Sequence, residues 1–103
     1  RQIAAGRIRI ELAIPHALTE ALKDGLTVEE LKYAVTNGEV IEDYGARVLL
    51  LALTISDHLP YHVVLEYYSG DPVATIVTSY IPDAMQWQSD WKRRKKPRGK
   101  RSR

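Results

Sequence analysis

The sequence contains no cysteine and no phenylalanine, and no run of apolar residues longer than a strand. Without cysteine, disulfide bonds, thiolate metal sites and cysteine nucleophiles are excluded. A membrane-spanning helix would need roughly 18 consecutive apolar residues. The histidines, His16, His58 and His62, form no H-E-x-x-H motif or other metal-ligand spacing. We therefore expect a cytoplasmic protein that uses no metal, no cofactor and no membrane partner.

Positive charge is scarce in most of the chain and concentrated at its end. Residues 92–103 carry nine of the 15 Lys and Arg residues and no acidic residue, which leaves six cations against all 13 anions in residues 1–91. Pro97 and Gly99 interrupt regular structure there, and like-charge repulsion keeps such a segment extended. We predict a single domain over residues 1–91 and a basic, disordered tail over residues 92–103.

Residues 60–82 have the clearest strand pattern. Two stretches rich in Val, Ile, Thr and Tyr are joined at Gly70, which can adopt the positive φ of a tight turn. Upstream, residues 48–55 are apolar on both faces, as in a central strand, and residues 39–44 indicate a further strand. The pattern predicts four consecutive strands in a mainly antiparallel meander.

Two helices are predicted before these strands. Residues 15–24 have apolar residues at helical spacing after a proline that suits a first turn. Residues 28–37 follow Thr27, which forms a capping-box pattern with Glu30. This order of elements favours an α+β fold, with the two N-terminal helices packed on a four-stranded, mainly antiparallel sheet.

The two ends of the domain are predicted separately. Charged and apolar residues alternate over residues 7–12, which indicates a short strand, with a helix starting there as the alternative. Residues 83–91 indicate a short C-terminal helix, for which Trp87 and Trp91 are candidate anchors.

An acidic cluster lies in the predicted strand over residues 39–44. Strand alternation places Glu39 and Asp43 on one face and Glu42 on the other. This arrangement is poor for a two-carboxylate site, so the cluster indicates a charged edge that discourages strand pairing.

Several motifs, taken in order, resemble those of a known family. They are His16-Ala17, Gly25-Leu26-Thr27, Asn37-Gly38-Glu39-Val40-Ile41-Glu42-Asp43-Tyr44, Pro60-Tyr61-His62-Val63-Val64, and Thr78-Ser79-Tyr80-Ile81-Pro82-Asp83 with Trp87. Their order and spacing are similar to the small bacterial family known as domain of unknown function 4258, over residues 14–94. The chain departs from the family pattern at residues 22–26, Leu-Lys-Asp-Gly-Leu, where family members usually carry an arginine.

The resemblance implies a fold, an activity and a partner. The family is regarded as similar to the toxins of bacterial toxin–antitoxin pairs, in the broad group of RelE-like and barnase-like ribonucleases. It therefore implies a RelE- or barnase-like fold and a metal-independent endoribonuclease that acts on mRNA, free or ribosome-bound. It also implies an antitoxin that resembles small zinc-finger proteins with paired Cys-x-x-Cys motifs.

Three side chains are candidates for RNA cleavage: His16, His62 and Tyr80. Cleavage without a metal needs a base for the 2′-hydroxyl, an acid for the leaving oxygen and a cation for the phosphorane charge. Histidine titrates near neutral pH, and tyrosine stacks on a base or supplies a proton. The structural alternatives are that His62 satisfies a buried hydrogen bond and that His16 caps a helix.

The basic segment is the candidate nucleic-acid-binding region. Lysine and arginine neutralise phosphates and release counterions, which gives salt-dependent affinity for RNA, the ribosome or DNA. The residues chosen are Lys92, Arg93, Arg94, Lys95, Lys96 and Arg98. The first hypothesis is a toxin-like mRNA endoribonuclease. The alternatives are a non-catalytic RNA- or ribosome-binding module and a protein-interaction domain.

Overall fold

Two helices and five strands make up the part of the chain that the structure, a computed structural model, describes: residues 8–95. The elements in order are β1 (Arg9–Leu12), α1 (His16–Lys23), α2 (Val28–Asn37), β2 (Glu39–Asp43), β3 (Arg47–Leu53), β4 (Pro60–Tyr67) and β5 (Val73–Tyr80). The strands form one sheet in the order β1-β5-β4-β3-β2. β1 runs parallel to β5, and the other neighbouring strands are antiparallel.

The α+β class is confirmed, but the predicted four-stranded, mainly antiparallel sheet is wrong. The sheet has five strands and is mixed, because the first strand of the chain pairs with the last one. Arg9 lies opposite Val73 and Leu12 opposite Ile76. The alternation at residues 7–12 indicates a strand, but local pattern does not reveal which distant strand it joins. The RelE- or barnase-like fold implied by the resemblance is part of the same four-stranded prediction, and the parallel pairing of β1 with β5 corrects it as well.

The predicted short C-terminal helix is also wrong. Asp83 begins a single turn in which its carbonyl accepts a hydrogen bond from the Trp87 amide at 3.0 Å. Further on, Trp91 has a φ of 63°. That left-handed conformation does not continue a right-handed helix. The four-residue spacing of the two tryptophans, which suggests a helix, arises in a different structure.

That structure is a short hairpin that follows the turn. The Gln88 amide donates to the Arg93 carbonyl at 2.8 Å, and the Lys95 amide donates to the Gln86 carbonyl at 2.8 Å. We call residues 86–95 the C-terminal hairpin. Residues 92–95, which the charge pattern assigned to the tail, form its second arm. Residues 96–103, for which disorder is predicted, lie outside the described residues, as do residues 1–7.

The two helices cover one face of the sheet. The capping box predicted for α2 is present: the Thr27 hydroxyl accepts from the Glu30 amide at 3.1 Å, and the Glu30 carboxylate accepts from the Thr27 amide at 2.9 Å. Burial of apolar side chains between helices and sheet is the main stabilising contribution. The helix side of this core is Ala17, Ala21, Leu31, Ala34 and Val35, and the sheet side includes Leu50, Tyr61, Val63, Leu65, Ala74 and Ile76.

The opposite face of the sheet carries the candidate site. Residues paired across neighbouring strands point to the same side of a sheet. His62 of β4 is paired with Leu51 of β3 and with Tyr80 of β5, and all three are on the side away from the core. We call this side the helix-free face. The C-terminal hairpin lies against it, with the Trp87 ring 4.5 Å from the His62 ring.

An irregularity in β2 brings two carboxylates to the helix-free face. Glu39 is paired with Leu51 and Glu42 with Leu49, because one extra residue is accommodated between the two pairs. A β-bulge of this kind shifts the side-chain alternation by one position. The prediction that Glu42 faces away from Glu39 is therefore wrong. Regular alternation cannot anticipate a bulge, and the bulge directs Glu42 toward His62 and Tyr80.

Candidate functional site

His62 lies at the centre of the site, fully buried, with both ring nitrogens engaged. Its Nε2 is 2.7 Å from the carbonyl oxygen of Trp91. A carbonyl only accepts, so Nε2 carries the hydrogen and Nδ1 is left as an acceptor. The Tyr80 hydroxyl, 3.3 Å away, donates to Nδ1. The two rings also meet edge to face, with centroids 5.3 Å apart.

Burial sets the protonation of this pair. It lowers the pKa of His62, against the opposing influence of the Trp91 carbonyl and of Glu42, and the positive charge of Arg94 lowers it further. Burial also raises the pKa of Tyr80. At neutral pH the histidine is therefore neutral and the tyrosine is protonated, so the Tyr80 hydroxyl is the donor and Nδ1 the acceptor.

Arg94 reaches the site from the second arm of the hairpin. Its Nε lies 2.7 Å from Oε2 of Glu42 and its Nη2 lies 3.0 Å from Oε1, which is a bidentate ion pair. Its guanidinium also lies over the Trp87 ring, 4.6 Å from the centroid. The Tyr44 hydroxyl donates to Oε1 of Glu42 at 2.8 Å. The hydrogen bonds from Arg94 lower the pKa of Glu42, so that carboxylate is ionised at neutral pH.

A cavity of about 200 Å³ opens beside these side chains. Leu49, Val64 and Val77 give it apolar surface, and Thr78 adds a hydroxyl. The remaining lining includes both partners of the ion pair and two aromatic rings: Glu42, Arg94, Tyr44 and Tyr80. The arrangement offers a flat ligand an apolar surface with charged and hydroxyl groups around it.

One family model matches this chain, under the description "Domain of unknown function (DUF4258)", over residues 15–81. The chain belongs to this family. The match runs from the start of α1 to the end of β5, so the DUF4258 region includes His62, Tyr80 and Glu42 and ends before the C-terminal hairpin. No curated protein and no solved structure matches the chain.

The structure unites two of the three side chains predicted for catalysis. His62 and Tyr80 are directly paired across β4 and β5. His16 lies elsewhere: it is the exposed first residue of α1, on the helix-covered side of the DUF4258 sheet. The sheet therefore separates His16 from the other two side chains.

The structure describes four of the six cations predicted to bind nucleic acid. Lys92 pairs with Glu39 and Arg93 with Asp90, each at 3.0 Å. Arg94 lines the cavity, as does Arg47 of β3, and Lys95 follows Arg94 at the end of the hairpin. Lys96 and Arg98 lie outside the described residues.

Sequence reasoning missed the functional placement of Glu42 and Tyr44. Both belong to the Gly-Glu-Val-Ile-Glu-Asp-Tyr motif, so the sequence indicates that this segment matters. The face on which Glu42 lies could not be predicted, because it depends on the bulge in β2. Within residues 8–95 no three His, Asp or Glu side chains gather as metal ligands would. No helix in the same range combines the length and apolarity needed to cross a membrane.

The buried neutral histidine predicts a specific pH dependence of stability. The pKa of His62 lies below 6.5, its ordinary value, when the chain is folded, so on acidification the unfolded chain takes up this proton first. The free energy of unfolding therefore decreases as the pH falls from the pKa of His62 in the unfolded chain toward its lower pKa in the folded chain. The decrease is up to about 1.4 kcal/mol per pH unit. Urea unfolding between pH values above and below 6.5 measures this slope.

Matched histidine variants assign the slope to a residue. We expect His62→Gln to remove the extra acid sensitivity and His58→Gln, in an exposed loop, to retain it. The charged and titratable groups facing His62 are Glu42, Arg94 and Tyr80. An unchanged slope in His62→Gln would contradict the assignment.

Proposed function

We propose that this DUF4258 protein is a toxin-like, metal-independent endoribonuclease that acts on mRNA in the bacterial cytoplasm. The observation that supports it is the placement of Tyr80. Its hydroxyl is held by a neutral histidine, it lines a cavity, and an arginine lies on the same cavity wall. The chain that follows this arginine is strongly basic. A cationic surface attracts the phosphate backbone of RNA.

Tyr80 is the catalytic residue of the proposal. The 2′-oxygen of the RNA attacks phosphorus, the bond from phosphorus to the 5′-oxygen breaks, and a 2′,3′-cyclic phosphate forms. The Tyr80 oxygen takes the proton of the 2′-hydroxyl while its own proton passes to Nδ1 of His62. Water protonates the departing 5′-oxygen. The Nε2–H bond to the Trp91 carbonyl supports the positive charge that His62 then carries.

Arg94 and His62 have supporting roles. A guanidinium has five N–H groups, and the bonds to Glu42 use two of them, so others remain for phosphate oxygens. A cation there stabilises the charge that develops on the phosphorane. His62 is buried, so it is a positioning residue that acts through Tyr80. His16 has no role in this mechanism, because it lies across the sheet.

Cleavage of a long RNA, with and without EDTA, tests the proposal. We expect cleavage to persist in EDTA and to fall about a hundredfold or more in Tyr80→Phe, which keeps the ring and removes the proton-transfer group. Tyr68→Phe, at an exposed tyrosine next to the β4–β5 turn, is the matched control and should cleave normally. No cleavage by the wild type, or normal cleavage by Tyr80→Phe, would contradict the proposal.

A non-catalytic RNA- or ribosome-binding module is the second candidate, and the burial of His62 favours it. A histidine with no exposed surface and both nitrogens bonded does not touch a phosphodiester. The wild type would then bind RNA without cutting it. A protein-interaction domain remains as the third reading, for which neither binding nor cleavage of RNA is expected.

The toxin-like proposal includes a protein antitoxin of the zinc-finger kind. Expression of the protein alone should then arrest growth, and co-expression of the product of a neighbouring reading frame should restore it. Growth that is unaffected by the protein alone would contradict this part of the proposal.

A further inference from the structure

We infer that the cavity beside Tyr80 is a subsite for one unpaired nucleobase and that guanine is the base it prefers. The inference rests on the proposed function in one respect, since it takes RNA to be what reaches the helix-free face. It adds a substrate preference to that function and assigns it to named side chains.

The size and lining of the cavity suit a base. Its volume of about 200 Å³ is smaller than the 300–1,000 Å³ typical of sites for drug-sized ligands, so it suits a flat ring better than a whole nucleotide. Leu49 and Val64 supply apolar surface, and Tyr44 and Tyr80 supply aromatic surface. Proteins hold unpaired RNA bases by such aromatic and apolar contacts. The sugar and phosphate would remain outside, within reach of Arg94.

Glu42 is the group that distinguishes one base from another. An ionised carboxylate only accepts hydrogen bonds. The Watson–Crick edge of guanine presents two adjacent donors, N1–H and the N2 amino group. Adenine, cytosine and uracil each place an acceptor next to their single donor group on that edge. A carboxylate repels those acceptors, so Glu42 favours guanine.

The hydrogen bonds already made by Glu42 leave room for this contact. Oε1 accepts from Tyr44 and from Arg94, whereas Oε2 accepts only from Nε of Arg94 among the described residues. Oε2 therefore keeps a free lone pair, and this one oxygen atom can accept from both N1–H and the N2 amino group, because the two donors lie side by side on the guanine edge. The Thr78 hydroxyl lines the same cavity and can donate to the O6 atom of guanine.

Binding of single nucleotides tests the subsite without requiring cleavage. Titrations with 3′-GMP, 3′-AMP, 3′-CMP, 3′-UMP and inorganic phosphate are followed by calorimetry. We expect 3′-GMP to bind at least about tenfold more tightly than each of the others, the discrimination typical of a good pair of base contacts. Equal affinity for the four nucleotides, or for phosphate alone, would overturn the inference.

Three variants assign the preference to the cavity. Glu42→Gln should reduce the preference for 3′-GMP to less than about twofold. Because this change also breaks the ion pair with Arg94, Val64→Phe is the second variant: it fills the cavity, leaves that pair in place, and should weaken binding of all four nucleotides but not of phosphate. Glu20→Gln, at a carboxylate paired with Lys23 on α1, is the control and should retain the preference. Tight 3′-GMP binding by Val64→Phe would overturn the inference.

The cleavage assay separates the failure of this inference from the failure of the proposed function. Tyr80-dependent cleavage with no preference for guanine in the nucleotide titrations would overturn the subsite and retain the ribonuclease. Preferential binding of 3′-GMP by a protein that does not cleave RNA would support the subsite and overturn the ribonuclease.

Discussion

Replacing the five cations of residues 96–103 by glutamine is expected to weaken RNA binding up to about three thousandfold at 0.1 M salt. Each lysine or arginine that neutralises a phosphate of single-stranded RNA releases a counterion, which contributes about 0.7 to the slope of log affinity against log salt. Five such contacts together contribute about 3.5 to that slope. Residues 92–95 are unchanged in this variant, so the C-terminal hairpin and Arg94 stay in place.

The slope is measured with one RNA oligomer over a series of salt concentrations. Glutamine keeps the length of the segment, so the comparison isolates charge. Lys32→Gln, at an exposed lysine of α2 on the helix-covered side, is the control and should leave the slope unchanged. A five-cation variant with the wild-type slope would show that these residues do not contact RNA.

Replacing Trp87 by alanine is expected to lower the free energy of unfolding by about 3–5 kcal/mol, the usual loss for a buried tryptophan. Trp87 is only 2% exposed. Its ring packs edge-on against His62 and beneath the guanidinium of Arg94, so it joins the hairpin to the sheet. Trp91→Ala is the matched control. Trp91 contacts His62 through its main-chain carbonyl, which alanine retains, so we expect a loss below about 1 kcal/mol.

The Trp87 variant has a second readout at the site. Loss of the indole opens His62 to water, so the pKa of His62 should rise toward its ordinary value. A histidine titration by NMR, compared with Trp91→Ala, measures the change. Equal destabilisation by the two variants, or an unshifted His62 pKa in Trp87→Ala, would contradict the role of Trp87 as the anchor.

The elements that the sequence predicts well are those specified by neighbouring residues. α2 begins and ends where its capping box and its terminal Asn37-Gly38 indicate. The β4–β5 hairpin follows from its turn residues and from strand-favouring residues on both sides. In each case the interacting groups are close in sequence, so composition and spacing are sufficient.

The features that could not be predicted depend on distant contacts. The parallel pairing of β1 with β5 joins residues more than 60 positions apart. The pairing of His62 with Tyr80 depends on strand register, which side-chain alternation leaves open. The contact of Arg94 with Glu42 requires both the bulge in β2 and the hairpin after β5. The candidate site is therefore a product of tertiary structure, although His62, Tyr80 and Arg94 are selected as candidates from the sequence alone.

The pairing of β1 with β5 has a consequence for synthesis on the ribosome. β1 precedes the other described strands out of the exit tunnel, but the neighbour beside which it lies, β5, follows all of them. Until β5 has emerged, β1 has no template for its backbone hydrogen bonds and remains accessible to chaperones and proteases. Completion of the sheet is thus a late event, and a nascent chain arrested before residue 73 would lack the partner of its first strand.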